Sequence, residues 1–375
     1  DVKNQKYNIR IYENLLDGSE HFALIKGKIK KGIALILMVN TSWLKISKPG
    51  LYVLPAKAHI DPIRAVDTAI ITHGHSDHAR PGHKHVIATK QTLAIMSARY
   101  GENFANQKTA LTYNDKFTLG EVEVKLIPAG HVLGSAQIVL KYENTKIIAA
   151  GDYKRRLDPT CVPFQVEQCD VFITEATFGL PVFSHPKPED EIKKLIQVRH
   201  LFPERSIAVL AYSLGKAQRL IALLRAAGYN ETIFIHGAVK KLCELYQSFG
   251  IQLGSLQTIP LDKIENHNRS LANKFIIAPP SAIGTKWAQR LPDPLVVSAS
   301  GWMQVRQRAK QGGVELPLII SDHADWNDIL RTIQEVKATQ VWITHGREDA
   351  LIHACSQMGL DAKALSLIGY EDETE

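Results

Sequence analysis

Four side chains of types that bind metal ions lie within one six-residue segment. They are His73, His75, Asp77 and His78. Imidazole and carboxylate groups together favour Zn, Mn or Fe. Alternation along an extended segment puts His73 and His75 on the same side, and a turn at Asp77 and His78 directs a second pair toward a neighbouring point. The segment therefore offers two ligands to each of two metal ions.

Strand ends must bring further ligands to this segment. The apolar run Val66–Ile71 before it predicts a short strand buried on both faces. Three more candidate ligands likewise follow apolar runs: His131 in PAGHVLGSA, Asp152 in IIAAGD and His345 in VWITHG. A single residue of this kind is more often a solvated loop residue. Four strand ends that each deliver such a residue instead predict one site at a sheet edge.

Composition is compatible with a large soluble protein and excludes few partners. The 375 residues suffice for a large core and two domains, with 45% hydrophobic and 22% charged residues. No apolar run reaches the ~20 residues of a membrane helix, so no membrane partner is expected. The four cysteines lie far apart, which is typical of reduced thiols in a cytoplasmic protein. A net charge of +7 fits a polyanionic partner and a solvated basic surface equally well.

The pattern of elements changes along the chain and divides it into segments. Residues 1–42 form an N-terminal extension to which no role is assigned. Short strands with turn signals fill residues 43–183, and a similar pattern returns in residues 300–369, before a tail at 370–375. Between them, residues 184–299 alternate strands with helices, which favours a parallel sheet built of βαβ units. The predicted fold class is therefore α/β with an inserted domain.

These motifs resemble those of the metallo-β-lactamase superfamily, and in particular of its β-CASP nuclease branch. Within that branch the chain is most similar to the bacterial DNA-ligase-associated exonuclease-like metallophosphodiesterases, in the stretches GDYKRRLDPTCVPF, CDVFITEATFGLPVF, LGKAQRL and FIHGAV. The likeness extends roughly from Trp43 to Gly369. It implies a metallo-β-lactamase αββα sandwich in two parts, 43–183 and 300–369, with an inserted parallel α/β β-CASP cap domain, 184–299, between them.

The resemblance also implies how the ligands divide between two divalent ions, Zn or Mn. The set for one ion is His73, His75 and His131, and the set for the other is Asp77, His78 and His345. Asp152 bridges both ions, and Asp77 is counted among the catalytic residues as well. Asp67, on the strand before the metal loop, takes the position of the family's first-motif Asp. We expect Asp67 to orient a ligand histidine without binding a metal ion itself.

Catalysis needs more than the metal ions. Two such ions about 3.5–4 Å apart can stabilise both the attacking and the leaving oxygen of an in-line displacement, which leaves protonation of the leaving 3′-oxygen. His323 in SDHADW is the candidate acid, oriented by Glu175 in TEATFG. Lys216, at a strand-to-helix turn, and Lys154 and Arg155, after the bridging carboxylate, are candidate contacts for substrate phosphates. An ordinary surface position explains these basic residues as well.

The favoured hypothesis is a dinuclear-metal nuclease that cuts single-stranded DNA in repair, alongside a DNA ligase and a helicase. The same chemistry on RNA is the close alternative, since nothing in the motifs reads the 2′-hydroxyl. Thioester or β-lactam hydrolysis on the same fold fits less well, because small acyl substrates need no large cap. A nucleic-acid binder without activity fits least, because every ligand is present. Endonuclease or exonuclease action and the choice between Zn and Mn stay open.

Overall fold

Three β-sheets organise the part of the chain that the computed structural model describes, residues 39–259 and 271–365. The described residues from 39 onward belong to one compact unit. The predicted extension 1–42, apart from its last few residues, and the predicted tail 370–375 lie outside the described residues. Within the described ranges, no helix is both long and apolar enough to span a membrane.

The first sheet carries the strand that leads into the metal-ligand segment. Its strands, in spatial order, are β1 (Leu44–Ser47), β2 (Gly50–Val53), β3 (Ala58–Ile60), β4 (Thr68–Ile70), β5 (His83–Thr89) and β6 (Ala105–Leu111). β1 to β3 pair antiparallel, and β3 to β6 pair parallel. Helix α1 (Lys90–Tyr100) begins after Thr89, whose hydroxyl accepts a hydrogen bond from the Thr92 main-chain N–H and caps the helix. Because β3 and β4 are parallel, their carboxyl ends lie side by side.

The second sheet supplies most of the remaining candidate ligands. Its strands, in spatial order, are β19 (Asp361–Ala364), β18 (Gln340–Gly346), β11 (Val171–Ala176), β10 (Thr145–Ala149), β9 (Ala136–Tyr142), β8 (Val122–Pro128) and β7 (Lys116–Leu119). β10, β11, β18 and β19 pair parallel, whereas β7 to β10 form an antiparallel meander. The carboxyl ends of β10, β11 and β18 therefore meet at one edge of the sheet.

The first two sheets pack face to face, with helices on their outer faces. Ile70 and Ile87 of the first sheet lie in the same buried cluster as Ile138 and Ile173 of the second. Helix α1 covers the outer face of the first sheet. Two helices cover the outer face of the second, α6 (Trp326–Val336) and α7 (Glu348–Gln357). This arrangement confirms the predicted αββα sandwich.

The third sheet is entirely parallel, as the alternation of strands and helices predicts. Its strands, in spatial order, are β14 (Leu256–Thr258), β13 (Ile233–Ile235), β15 (Phe275–Ala278), β12 (Ile207–Leu210), β16 (Leu295–Ala299) and β17 (Leu316–Leu318). The α-helices described in this region are α2 (Pro188–Leu201), α3 (Lys216–Ala226), α4 (Gly237–Ser248) and α5 (Arg306–Gln311). β17 pairs with β16, so the sheet continues to residue 318. The predicted end of the cap at residue 299 is corrected accordingly, because a strand in the returning segment completes the cap sheet.

Two glycines flank helix α3 with left-handed backbone angles but different surroundings. Gly215 precedes the helix with φ +83° and Gly228 follows it with φ +89°. A Cβ added at Gly215 would lie 2.4 Å from Cγ1 of Val132, in the loop between β8 and β9, whereas one added at Gly228 would meet no atom within 4 Å. The start of α3 therefore lies directly against the loop that carries His131.

Replacing each glycine by alanine separates backbone strain from this close approach. Gly228→Ala should lower the free energy of unfolding by about 1–2 kcal/mol, the cost of a left-handed angle for a residue with a Cβ. Gly215→Ala should cost about 1–3 kcal/mol more, because the β-branched Val132 has few rotamers with which to make room. Denaturant unfolding of both variants measures the difference, and equal losses would contradict the close approach.

Candidate metal centre and catalytic site

Three histidines and one carboxylate converge in a buried cluster between strand ends. The members are His73, His75, His131 and Asp152, and one potential ligand atom from each lies within 4.8 Å of all the others. Nδ1 of His75 is 3.1 Å from Nε2 of both His73 and His131. The Asp152 Oδ2 is 3.4 Å from Nε2 of His73 and 3.8 Å from Nε2 of His131. The structure thus brings together the residues predicted for one metal ion.

The residues predicted for the second ion lie on the other side of the same carboxylate. Nε2 of His78 is 3.4 Å from Oδ2 of Asp77 and 3.4 Å from Oδ2 of Asp152. The rings of His78 and His345 are 5.4 Å apart between centroids. His345, the next-to-last residue of strand β18, has a positive φ of +55°. This angle is uncommon for a residue with a side chain and is often found at functional sites. Asp152 is therefore common to both groups.

Burial and neighbouring charges leave most of these imidazoles neutral, with a lone pair available. Burial, together with the positive charge on His78, lowers the pKa of His73 and of His345 to about 4. Burial and then His73 hold the pKa of His131 well below its ordinary value. Neutral imidazole is the form that ligates a metal ion.

His78 differs from the three imidazoles whose pKa is lowered. Burial disfavours its charge, but the combined attraction of Asp152 and Asp77 raises the pKa of His78 well above the ordinary value. Burial likewise disfavours the Asp152 carboxylate, yet His78 and His323 hold its pKa well below the ordinary value. A cation is thus already favoured next to the shared carboxylate. The mixed nitrogen and oxygen donors fit divalent ions such as Zn or Mn.

Asp61 orients one ligand histidine from each group, a part the sequence prediction assigned to Asp67. Oδ2 of Asp61 accepts a hydrogen bond from Nδ1 of His78 at 2.8 Å. It also accepts one from the Thr72 hydroxyl at 2.5 Å. The same Thr72 oxygen is 3.0 Å from Nδ1 of His73. Because both Nδ1 atoms are engaged in this way, Nε2 of each ring points to the cluster.

Asp67 is a surface residue, so its predicted role is wrong. Its side chain is 78% exposed and pairs with Lys84 at 2.7 Å. Along β4, Asp67 and His73 are separated by the whole strand, whereas Asp61 follows β3, the parallel neighbour of β4. The polar residue directly after β3, in the sequence HIDP, is the signal that could have identified Asp61.

His323 and Glu175 form a hydrogen-bonded pair beside the cluster. Oε2 of Glu175 is 2.8 Å from Nδ1 of His323 and accepts the Thr177 hydroxyl at 2.6 Å. Its Oε1 accepts the Tyr153 main-chain N–H at 2.7 Å, so the buried carboxylate is fixed from three directions. Atoms of Asp152, Glu175 and His323 also lie within 4.8 Å of one another. The short distance between this pair and Asp152 is therefore compatible with a catalytic role and with a metal-binding role.

A cavity opens over these residues between the αββα sandwich and the third sheet. Beyond the cluster and His323, its wall includes side chains from both parts: Thr177, Phe178, Tyr212, Lys216, Ser300 and Trp302. Thr177 and Phe178 follow β11 of the sandwich, whereas Tyr212 and Ser300 follow β12 and β16 of the third sheet. A group bound in this cavity would therefore lie between the candidate ligands and the inserted sheet.

Two of the three predicted phosphate contacts face protein partners instead of solvent. Lys154 is 1% exposed and pairs with Asp158. Arg155 donates to the Thr332 hydroxyl at 2.8 Å and pairs with Glu335 at 2.5 Å, both on α6. These two predictions are wrong because the loop after Asp152 turns its basic side chains inward.

Lys216, the third predicted phosphate contact, is the first residue of helix α3. Its side chain is buried, donates to the Ile320 carbonyl oxygen at 3.1 Å and lies 3.2 Å from Oδ2 of Asp322. It also contributes to the cavity wall. The predicted contact with a substrate phosphate stays a prediction, because the residue lines the cavity while its ammonium also pairs with a carboxylate.

Comparison with known proteins agrees with this geometry. Residues 50–205 match the model of the metallo-beta-lactamase superfamily. A protein named probable DNA ligase from Opitutus terrae is 26% identical over 329 residues, which cover 87% of this chain and 31% of that protein. The endoribonuclease ysh-1 of Neurospora crassa is 29% identical over 212 residues, covering 47% of this chain and 25% of that one. The chain thus spans about a third or less of the length of these relatives.

A crystal structure of a protein of unknown function from Enterococcus faecalis V583 shares the fold. The two structures align with a TM-score of 0.50 and 15% sequence identity over 74% of each chain. The likeness to this structure concerns the fold, and the family match over residues 50–205 confirms the predicted metallo-β-lactamase domain. Its relatives support the predicted β-CASP nuclease branch.

Two matched variants test whether Asp61, and not Asp67, is the carboxylate that orients the histidines. Asp61→Asn should weaken Mn²⁺ or Zn²⁺ binding about 10–100-fold, because His78 loses its charged acceptor and so does the Thr72 hydroxyl that contacts His73. Asp67→Asn, which removes an exposed charge, should leave metal affinity unchanged. Calorimetric titration measures both, and a larger loss for Asp67→Asn would restore the sequence-based assignment.

Proposed function

We propose that this protein is a nuclease that hydrolyses phosphodiester bonds of single-stranded DNA with two divalent ions, Zn or Mn, and acts in DNA repair. The observation that carries the proposal is the Asp152 carboxylate, which lies between two groups of ligand histidines and beside a His323–Glu175 pair. When bound, the two ions supply charge stabilisation for the attacking and leaving oxygens of an in-line displacement at phosphorus.

The residues of this chain divide the work around those ions. His73, His75 and His131 would hold one ion, Asp77, His78 and His345 the other, and Asp152 would contact both. Asp61 fixes the ring orientation of His73 and His78. The walls of the cavity exclude water from the reacting phosphate and strengthen its attraction to the site.

His323 would give a proton to the leaving 3′-oxygen. Glu175 accepts the hydrogen bond from its Nδ1, so the proton for transfer is carried by Nε2. The Glu175 carboxylate also stabilises the doubly protonated imidazolium form that acts as the acid. Because Tyr153 and Thr177 hold the carboxylate, the ring is oriented before substrate binds.

The choice of DNA is supported by the probable DNA ligase from Opitutus terrae. Its alignment covers nearly the whole of this chain, although it covers less than a third of that protein. We infer that this nuclease works with a DNA ligase, because a nuclease can prepare the ends that a ligase joins. A helicase partner follows only from the family resemblance and stays a prediction.

RNA cleavage is the second candidate function. The similarity to the endoribonuclease ysh-1 favours it, although that alignment covers less than half of this chain. The metal cluster and the acid pair suit both substrates, because the 2′-hydroxyl takes no part in the proposed displacement. Neither of the two relatives described above favours thioester or β-lactam hydrolysis.

One assay separates these functions. Linear end-labelled and circular forms of single-stranded DNA and RNA are incubated with the purified protein and Mn²⁺ or Zn²⁺. We expect cleavage of DNA that chelation abolishes and added metal restores. Cleavage of circles identifies endonuclease action, and cleavage of linear forms alone identifies exonuclease action. Preference for RNA would support the second candidate, and hydrolysis of neither polymer would overturn both.

The proposed acid can be tested by changing both the enzyme and the leaving group. His323→Ala should lower kcat about 10²–10⁴-fold on DNA, since it removes the proton donor. The loss should be smaller for an ester with a p-nitrophenolate leaving group, which departs without protonation. His353→Ala, an exposed histidine on α7, serves as the matched control. Loss of bound metal in His323→Ala would instead make this residue a ligand.

A further inference from the structure

Five charged side chains form a buried cluster next to the metal ligands. They are Lys154, Asp158, Lys216, Arg219 and Asp322, each at most 7% exposed. Three cations and two carboxylates give this buried cluster a net charge of +1. Buried ions cost free energy that apolar side chains of similar volume do not. The arrangement is therefore expected to contribute something that simple packing would not.

Asp322 lies at the centre of this ion cluster, between two residues of helix α3. Its Oδ1 is 3.1 Å from Nη1 of Arg219, and its Oδ2 is 3.2 Å from Nζ of Lys216. Arg219 also donates to the Ser321 carbonyl oxygen and lies 3.4 Å from Oδ2 of Asp158. The inserted region thus holds the loop at residues 321–323 through charged contacts from one helix.

The same loop contacts the metal ligand His131 and contains the proposed acid. The main-chain oxygen of Asp322 is 2.9 Å from Nδ1 of His131. A carbonyl oxygen can only accept, so Nδ1 carries the proton and Nε2 points to the metal-ligand cluster. Asp322 directly precedes His323, whose main-chain N–H donates to the Ser321 hydroxyl at 3.0 Å. Lys154, also in the ion cluster, donates to the His131 carbonyl oxygen at 3.5 Å.

We propose that Asp322 is a positioning residue that lets helix α3 align His131 and His323 at the same time. The carboxylate fixes the loop to Lys216 and Arg219, the main-chain oxygen fixes the His131 ring, and the next residue presents the acid. The inference rests on the proposed function for the role of His323, but its effect on His131 concerns metal affinity alone. A displaced loop would misalign a ligand and the acid together.

Three variants distinguish positioning from stability. Asp322→Asn keeps the shape but raises the net charge of the ion cluster from +1 to +2. The double variant Lys216→Met, Asp322→Asn returns it to +1, and Lys216→Met alone controls for the wall of the cavity. Glu244→Gln removes one partner of the exposed Lys240–Glu244 pair on α4 and is the surface control. Each variant is measured for melting temperature, Mn²⁺ affinity and hydrolysis of bis(p-nitrophenyl) phosphate and single-stranded DNA.

We expect Asp322→Asn to lower the melting temperature and the double variant to recover most of it. Mn²⁺ affinity should fall about 10–100-fold in both. On DNA, kcat should fall by a similar factor with KM little changed, and on the p-nitrophenyl ester it should fall less. Recovery of kcat and metal affinity together with melting temperature in the double variant would overturn the proposal, as would wild-type metal affinity in Asp322→Asn. An inactive wild type would count against the proposed function, and the metal titration would still decide the positioning role.

Discussion

The Asp152 carboxylate and the histidines around it are the contact on which the rest of the structure depends. An ionised carboxylate away from water is costly unless opposite charge or hydrogen bonds surround it. His73, His78 and His131 approach one of its oxygens from three directions, at 3.4–3.8 Å. These histidines come from the segment after β4 and from the loop between β8 and β9, so the facing sheets must meet at this edge. A divalent ion on each side of Asp152 would complete the neutralisation that His78 provides in part.

The ligand set was accessible from the sequence because each member follows an apolar strand. Parallel strands present their carboxyl ends at one edge, so the pattern of strand and polar loop carried enough information to collect His73, Asp152 and His345. The parallel cap sheet followed from the alternation with helices, whereas the sandwich followed from the resemblance to the metallo-β-lactamase superfamily. Strand-end residues and the period of the pattern were therefore sufficient for the ligands and the cap sheet.

Other features depend on contacts that no local pattern reveals. Asp61 and Asp67 are both carboxylates near β4, and only the pairing of β3 with β4 decides which one reaches the histidines. Lys154, Arg155 and Lys216 have the composition of a surface, but each pairs with a carboxylate. Lys154 pairs with Asp158 four residues on, whereas the partners of Arg155 and Lys216 are distant in sequence. β17 is a three-residue strand whose place in the third sheet comes from β16 alone. Local sequence patterns therefore did not predict the long-range charge pairs or the short edge strand.

The inserted region does more than cover the cavity. Helix α3 begins against the loop that carries His131, and its charged side chains hold the loop that carries His323. The site is thus shared between two parts of the chain, as expected when a polymer must be held while one bond is cut. A cap linked in this way can transmit substrate contacts to the ligands and the acid without a separate moving element.

The number of metal ions per chain is the most direct test of this account. Metal-free protein reconstituted with Mn²⁺ or Zn²⁺, freed of excess ion and measured by elemental analysis should contain two ions. The Asp152→Ala variant should retain less than two, because both ligand groups share that carboxylate. One ion or none in the reconstituted wild-type protein would contradict the dinuclear centre and with it the mechanism.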